Sequence, residues 1–160
     1  TGVQTCALPI WVESMNDEFD LVFVDPWHSV TDSLRLVRSS LQAVRPGGLL
    51  IIHDCHPHDQ NLRRETPLNM SDPWCGETWK VWHRLTTLLP AEAQWRTIDL
   101  DNGIGVLVKP LNLSCRRRVL RVMKRLGDLE EEWSKEMNWS DDAPHLHLSD
   151  HLSLCDMMTA

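Results

Sequence analysis

Two short runs of aliphatic and β-branched residues, each ending in an aspartate, flank one amphipathic stretch, and this pattern narrows the fold more than any other feature of the chain. The first run is Asp20-Leu21-Val22-Phe23-Val24-Asp25, followed by Pro26. It reads as a buried strand whose C-terminal end is functional. Val30, Leu34, Val37, Leu41 and Val44 then recur at steps of four and three, which is one apolar stripe on a helix. Pro46-Gly47-Gly48 is expected to stop that helix, and Leu49-Leu50-Ile51-Ile52 to form a second strand ending at His53-Asp54. Strand, helix, turn and strand make a βαβ unit, with parallel strands and a right-handed crossover expected.

The rest of the chain is read against this unit. Residues 55–77 are polar and contain Pro57, Pro67 and Pro73, a long loop over the sheet edge. Trp79, Trp82, Leu85 and Leu89 share a helical face closed by Pro90. Arg96–Leu100 and Ile104–Val108 flank Asp101-Asn102-Gly103, a strong hairpin signal. The domain proper, 11–110, is expected to end near Pro110. A helical extension, 111–139, follows. In it Arg116, Arg117, Arg118, Arg121, Lys124 and Arg125 precede the acidic stretch from Asp128 to Glu132. One continuous helix would set each charge block against the wrong end of the macrodipole, so two helices are expected, parted at Gly127 with Asp128 opening the second. Residues 140–160 read as a loosely ordered tail. The segment from Thr1 to Ile10 resembles the in-frame translation of a sequencing adapter and is set apart from the fold, with the natural protein expected to continue upstream.

Composition excludes several classes. A chain of 160 residues accommodates one domain with a core. A formal charge of -7 argues against nucleic acid as a whole-surface partner. The apolar runs are too short to span a bilayer, so no transmembrane segment is expected. The five cysteines, Cys6, Cys55, Cys75, Cys115 and Cys155, are scattered with no CxxC pair, which favours neither a disulfide framework nor a structural zinc site. With no recognisable secretory leader, a cytoplasmic location is expected.

Phe19-Asp20-Leu21-Val22-Phe23-Val24-Asp25-Pro26-Trp27-His28, then Arg45-Pro46-Gly47-Gly48 and Leu49-Leu50-Ile51-Ile52-His53-Asp54, resemble the fourth and fifth strands of class I S-adenosylmethionine-dependent methyltransferases. The likeness is to the branch that includes small-molecule and sugar O-methyltransferases. Residues 96–108 are similar to the final antiparallel pair of that fold. The resemblance covers roughly residues 17–110 and implies an α/β fold: an incomplete Rossmann-like methyltransferase sheet with flanking helices. The glycine-rich turn that such enzymes use for the cofactor is not found before Asp20. Gly103-Ile104-Gly105 lies in a hairpin and lacks the strand-to-helix context that turn needs.

Asp25 and Asp54 end neighbouring parallel strands and should converge on the crevice where open α/β sheets bind ligands. The resemblance implies that they fall where metal-dependent O-methyltransferases place metal ligands, and that Asp25 and His53 lie beside S-adenosylmethionine. Cys55 stands where the family has a further Asp or Asn ligand, a departure that does not suit magnesium. His28 is a candidate general base and Asp25 its catalytic companion; the plainer alternative for His28 is a residue fixing the Asp25 turn. His58 reads as a coincidence in a polar loop. Trp74, Trp79 and Trp82 are candidates for a substrate lid, with Trp79 and Trp82 expected in the core. The arginine cluster reads as a solvated helix face.

The leading expectation is therefore O-methylation of a small molecule or sugar, with a divalent metal as an optional second cofactor and room for an oligomer. Metal-dependent hydrolysis through Asp25, Asp54 and the histidines is a second enzymatic reading, and an inactive methyltransferase-like scaffold a third. The chain on its own is expected to be inactive, because the strand at 20–25 would lack the neighbour it has in the family and present an apolar edge.

Overall fold

In the computed structural model the described residues are 17, 19–69, 71, 73–137, 139 and 148–149. The adapter-like segment 1–10 lies outside them, as does the tail 140–160 apart from Leu148–Ser149. The first apolar run forms β1 (Phe19–Val24), and the amphipathic stretch forms α1 (Val30–Ala43). Ser29 caps this helix by accepting the Asp32 amide at 3.1 Å. Val30, Leu34, Val37 and Leu41 are all buried, as a single apolar stripe requires.

The second strand, β2 (Val44–Ile52), begins earlier than the proline and glycines suggest. Phe19 pairs with Val44 and Leu21 with Leu49, so two steps along β1 correspond to five along β2. Arg45 to Gly48 thus form an irregularity within the strand, where a free-standing turn was expected. Its backbone is satisfied by Lys109: the Gly47 amide donates to the Lys109 carbonyl at 2.7 Å, and the Lys109 amide to the Gly48 carbonyl at 2.9 Å. β1 and β2 are parallel.

After a short 3-10 turn (Gln60–Arg63) come α2 (Thr78–Leu88), β3 (Trp95–Ile98) and β4 (Ile104–Val108). Two more helices follow, α3 (Leu113–Asp128) and α4 (Glu130–Glu136). The break between them falls at Leu129 and not at Gly127, which stays helical; no side chain caps α4. With β5 (Leu148–Ser149) the sheet has, among the described residues, five strands in the order β1-β2-β4-β3-β5. β4 runs antiparallel to both β2 and β3, while β3 and β5 are parallel. The result is an α/β fold with a mixed open sheet and flanking helices, compatible with an incomplete Rossmann-like fold.

The helices gather on one face of the sheet. Val24, Leu50, Ile52 and Leu107 join Leu34, Val37, Leu41, Trp82, Leu85, Val119, Met123, Leu126 and Trp133 in the main core. The stripe of α3 is buried and its cationic face, Arg117, Arg121, Lys124 and Arg125, is exposed. Ile98 and Val106 form a smaller cluster with Leu49, Ile104 and Val108 on the other face. β1 is an edge strand, not a fully buried one: Leu21 and Phe23 are 49% and 55% exposed. No helix among the described residues is long and apolar enough to cross a membrane.

Trp82 is the pivot of the main core. Its indole nitrogen donates to Thr97 Oγ1 at 2.8 Å, and its ring meets β4 where Gly105 offers no side chain. A Cβ at Gly105 would lie 2.7 Å from Cys55 Sγ and 2.8 Å from the Trp82 ring. Gly105→Val is therefore expected to destabilise the fold by about 2–3 kcal/mol through overpacking. Urea unfolding checks this, and a variant as stable as the parent would contradict the packing described.

Candidate functional site

The parallel pairing sets the ends of β1 and β2 side by side. The ladder continues one step past the strands, the His53 amide donating to the Val24 carbonyl at 2.9 Å. Asp25 follows β1 directly. Asp54 lies two residues beyond β2 in the left-handed region, with φ +58°. Aspartate tolerates that conformation better than most residues, at a cost on the order of 1 kcal/mol. Between β1 and α1, the Pro26–Ser29 turn carries His28 back over both carboxylates.

The candidate residues Asp25, His28, His53 and Asp54 are thereby brought together. His28 Nε2 stands 2.9 Å from Asp54 Oδ2 and 3.7 Å from Asp25 Oδ1. His53 Nδ1 stands 3.3 Å from Asp54 Oδ2 and 3.6 Å from Asp25 Oδ1. Asp54 is buried while the Asp25 carboxylate is half open to solvent, so the cluster has an enclosed side and an accessible side.

Burial opposes charge on His28, but its hydrogen bonds to Asp25 and Asp54, and their negative field, outweigh burial and raise its pKa to about 9. The His28 hydrogen bond in turn holds Asp25 below the usual carboxylate range, against the opposing effect of burial. Burial likewise opposes charge on His53, and the fields of Asp54, Asp25 and Asp101 with the Asp101 hydrogen bond raise its pKa. His28 is thus an imidazolium at neutral pH, held between the two aspartates. Acting as a base requires it first to give up that proton.

Cys55, which the sequence resemblance would set in a further ligand position, does not join the site. It is fully buried in the main core, its thiol donating to the Ile52 carbonyl at 3.4 Å, and burial pushes its pKa well up. Such a protonated thiol is no ligand for a hard cation. Trp79 and Trp82 are core residues, 3% and 0% exposed. Trp74 is beside the site, its ring edge-on to His28 at 4.9 Å and to Trp27 at 5.7 Å.

Two further residues belong to the cluster and carry no chemical signal in the sequence. Asp101, in the β3–β4 turn, accepts from His53 Nε2 through its Oδ2 at 3.1 Å. Cys75 lies against Asp54; burial, then the hydrogen bond to that carboxylate, pushes its pKa far up, so it remains a thiol. The β3–β4 turn itself is docked on the loop after β2. Its Gly103 amide donates to the Leu100 carbonyl at 2.9 Å, with Asp101 and Asn102 both at positive φ between them. Gly103, at φ +86°, is required twice over: a Cβ there would lie 2.4 Å from the His56 amide nitrogen.

No family model matches this chain, and no curated protein matches it. It is similar to a structural-genomics target from Corynebacterium glutamicum, with 25% identity and a TM-score of 0.42 over 65% of this chain, and spans 45% of that protein's length.

Proposed function

We propose that this chain is the C-terminal half of a class I S-adenosylmethionine-dependent methyltransferase domain that methylates a hydroxyl of a small molecule, with a sugar as the leading acceptor. The observation that carries the reading is the meeting of Asp25, His28 and Asp54 at the ends of two adjacent parallel strands, where an open α/β sheet takes its ligand. The antiparallel pair β3–β4 laid against β2 supports it as well, since the resemblance implies such a final pair.

S-adenosylmethionine supplies an electrophilic methyl group, so the protein has to orient the acceptor oxygen and remove its proton. Neutral His28 accepts that proton, and Asp54 then holds the resulting imidazolium at 2.9 Å. Asp25, open to solvent, faces the acceptor and steadies the same ring. Trp74 walls the site beside His28. The residues also fit a divalent ion. Asp25, His53 and Asp54 offer one ligand atom each within 4.8 Å of one another, and Asp54 Oδ1 is a buried carboxylate oxygen without a hydrogen-bond partner among the described residues. This mixed nitrogen and oxygen set suits a borderline ion such as zinc or manganese, which would acidify the acceptor hydroxyl.

Transfer of a radiolabelled methyl group to a panel of sugars and phenols, by the chain joined to its upstream coding sequence, tests the proposal. Transfer is expected to be faster at pH 9 than at pH 7, and Asp54→Asn to reduce it by about 100-fold or more. Hydrolysis of an ester or amide panel with no methyl transfer would refute it.

A further inference from the structure

A second group of side chains able to ligate a metal lies where the loop after β2 meets the end of β3, outside the site just described. His56, His58 and Asp99 each bring one ligand atom within 4.8 Å of the others. His58 Nε2 is 2.7 Å from Asp99 Oδ1, and the His56 and His58 rings meet edge to face at 4.6 Å. We propose that His56, His58 and Asp99 bind a divalent transition ion of the zinc class, which staples the loop after β2 to the β3–β4 turn.

Three features carry this beyond a surface ion pair. His56 is 7% exposed, and its Nδ1 is buried without a hydrogen-bond partner among the described residues. Such a nitrogen is costly when left unsatisfied, and the His58–Asp99 pair alone does nothing for it. Two imidazoles and one carboxylate are also a donor set that zinc, cobalt and nickel accept, leaving positions for water. Finally, the backbone is already arranged. The Cys55 amide donates to the Gly103 carbonyl at 2.8 Å and the His56 amide to the Asn102 carbonyl at 2.7 Å, while Pro57 restricts His56 to extended conformations. Ligands of one ion sit roughly 3 Å apart, so side-chain adjustment is enough to close the site. Arg63, whose charge is felt at His56 and opposes a cation here, lies 4.0 Å over the ring of Trp139 and in the field of Asp59. Trp139 itself packs on His56 at 4.9 Å.

Titration of Zn²⁺ into the full chain without a histidine tag, followed by calorimetry, tests the assignment. One equivalent is expected to bind at this site with micromolar or tighter affinity, in the full chain and equally in Asp25→Asn, where the strand-end cluster has lost a ligand. His58→Ala and Asp99→Asn should each weaken it by roughly 100-fold, the top of the range for disturbing even an outer-shell partner. Both residues are exposed, so circular dichroism should report an unchanged fold. Asp25→Asn should leave this affinity as it was, which separates the staple from the site at the strand ends. In parallel, Zn²⁺ should shift the side-chain nitrogen resonances of His56 and His58. Binding in the Asp25→Asn background that survives both loop substitutions, micromolar binding lost altogether in Asp25→Asn, or no binding at all would overturn the proposal.

Discussion

Asp54→Asn is expected to lower the pKa of His28 from about 9 by roughly one to two pH units, read from the imidazole resonances in a pH titration. The substitution removes the nearer of the two carboxylates, at 2.9 Å, and leaves Asp25 at 3.7 Å. The same change should appear in stability. The folded pKa of His28 lies above its ordinary value of 6.5, so its contribution is complete below pH 6.5 and is lost as pH rises through about 9. Its full size is on the order of 3 kcal/mol, for a side chain that is 19% exposed. Asp25 acts in the opposite sense: its pKa is depressed, so its contribution is present above the ordinary carboxylate range and fades as the solution is acidified. Unfolding measured in chelator should therefore find greatest stability in the mildly acidic range. Between pH 6.5 and 9 the decline should be shallower in Asp54→Asn. A His28 midpoint unchanged by the substitution would mean that Asp54 does not hold the proton there.

The second large effect is expected at Lys109, far from the site. Its side chain is 2% exposed, yet all three ammonium donors are used: Asp17 Oδ1 at 2.6 Å, the Gln42 carbonyl at 3.0 Å and the Val44 carbonyl at 2.6 Å. The two carbonyls lie at the junction of α1 and β2, where the helix has ended and the strand irregularity begins. Lys109→Met keeps the aliphatic stem, takes the ammonium from the Val44 carbonyl and leaves the Gln42 carbonyl with the Asp17 amide alone, which should cost about 2–4 kcal/mol in urea unfolding. Asp17→Ala removes only an exposed partner and should cost no more than about 1 kcal/mol. Equal losses in the two variants would contradict the role given to the carbonyls.

How far the sequence could be read depended on the range of the interaction. α1 was legible because its burial is encoded in one local stripe, from Val30 to Leu41. The hairpin was legible because Asp101-Asn102-Gly103 suits the left-handed positions of its turn. The convergence of Asp25 and Asp54 could be argued, since parallel pairing with both aspartates at strand ends leaves little choice. What escaped was set by long-range contacts. Pro46-Gly47-Gly48 looked like a turn, but Lys109 holds it inside β2 from 60 residues away. Cys55 seemed to stand in a ligand position, while the chain reversal at Asp54 and the space left by Gly105 turn it into the core. His58 looked incidental because its partner, Asp99, is 41 residues distant. Nothing in the local pattern marks Cys75 or Asp101 as neighbours of Asp54 and His53.

The central claim is that the strand ends form one wall of a cofactor pocket completed by upstream residues. Calorimetric titration of S-adenosylhomocysteine into the chain joined to its upstream coding sequence tests it most directly. Saturable one-to-one binding, weakened when Asp25 is replaced by alanine, is the predicted result. A folded protein that gives no saturable heat with this ligand would contradict the account.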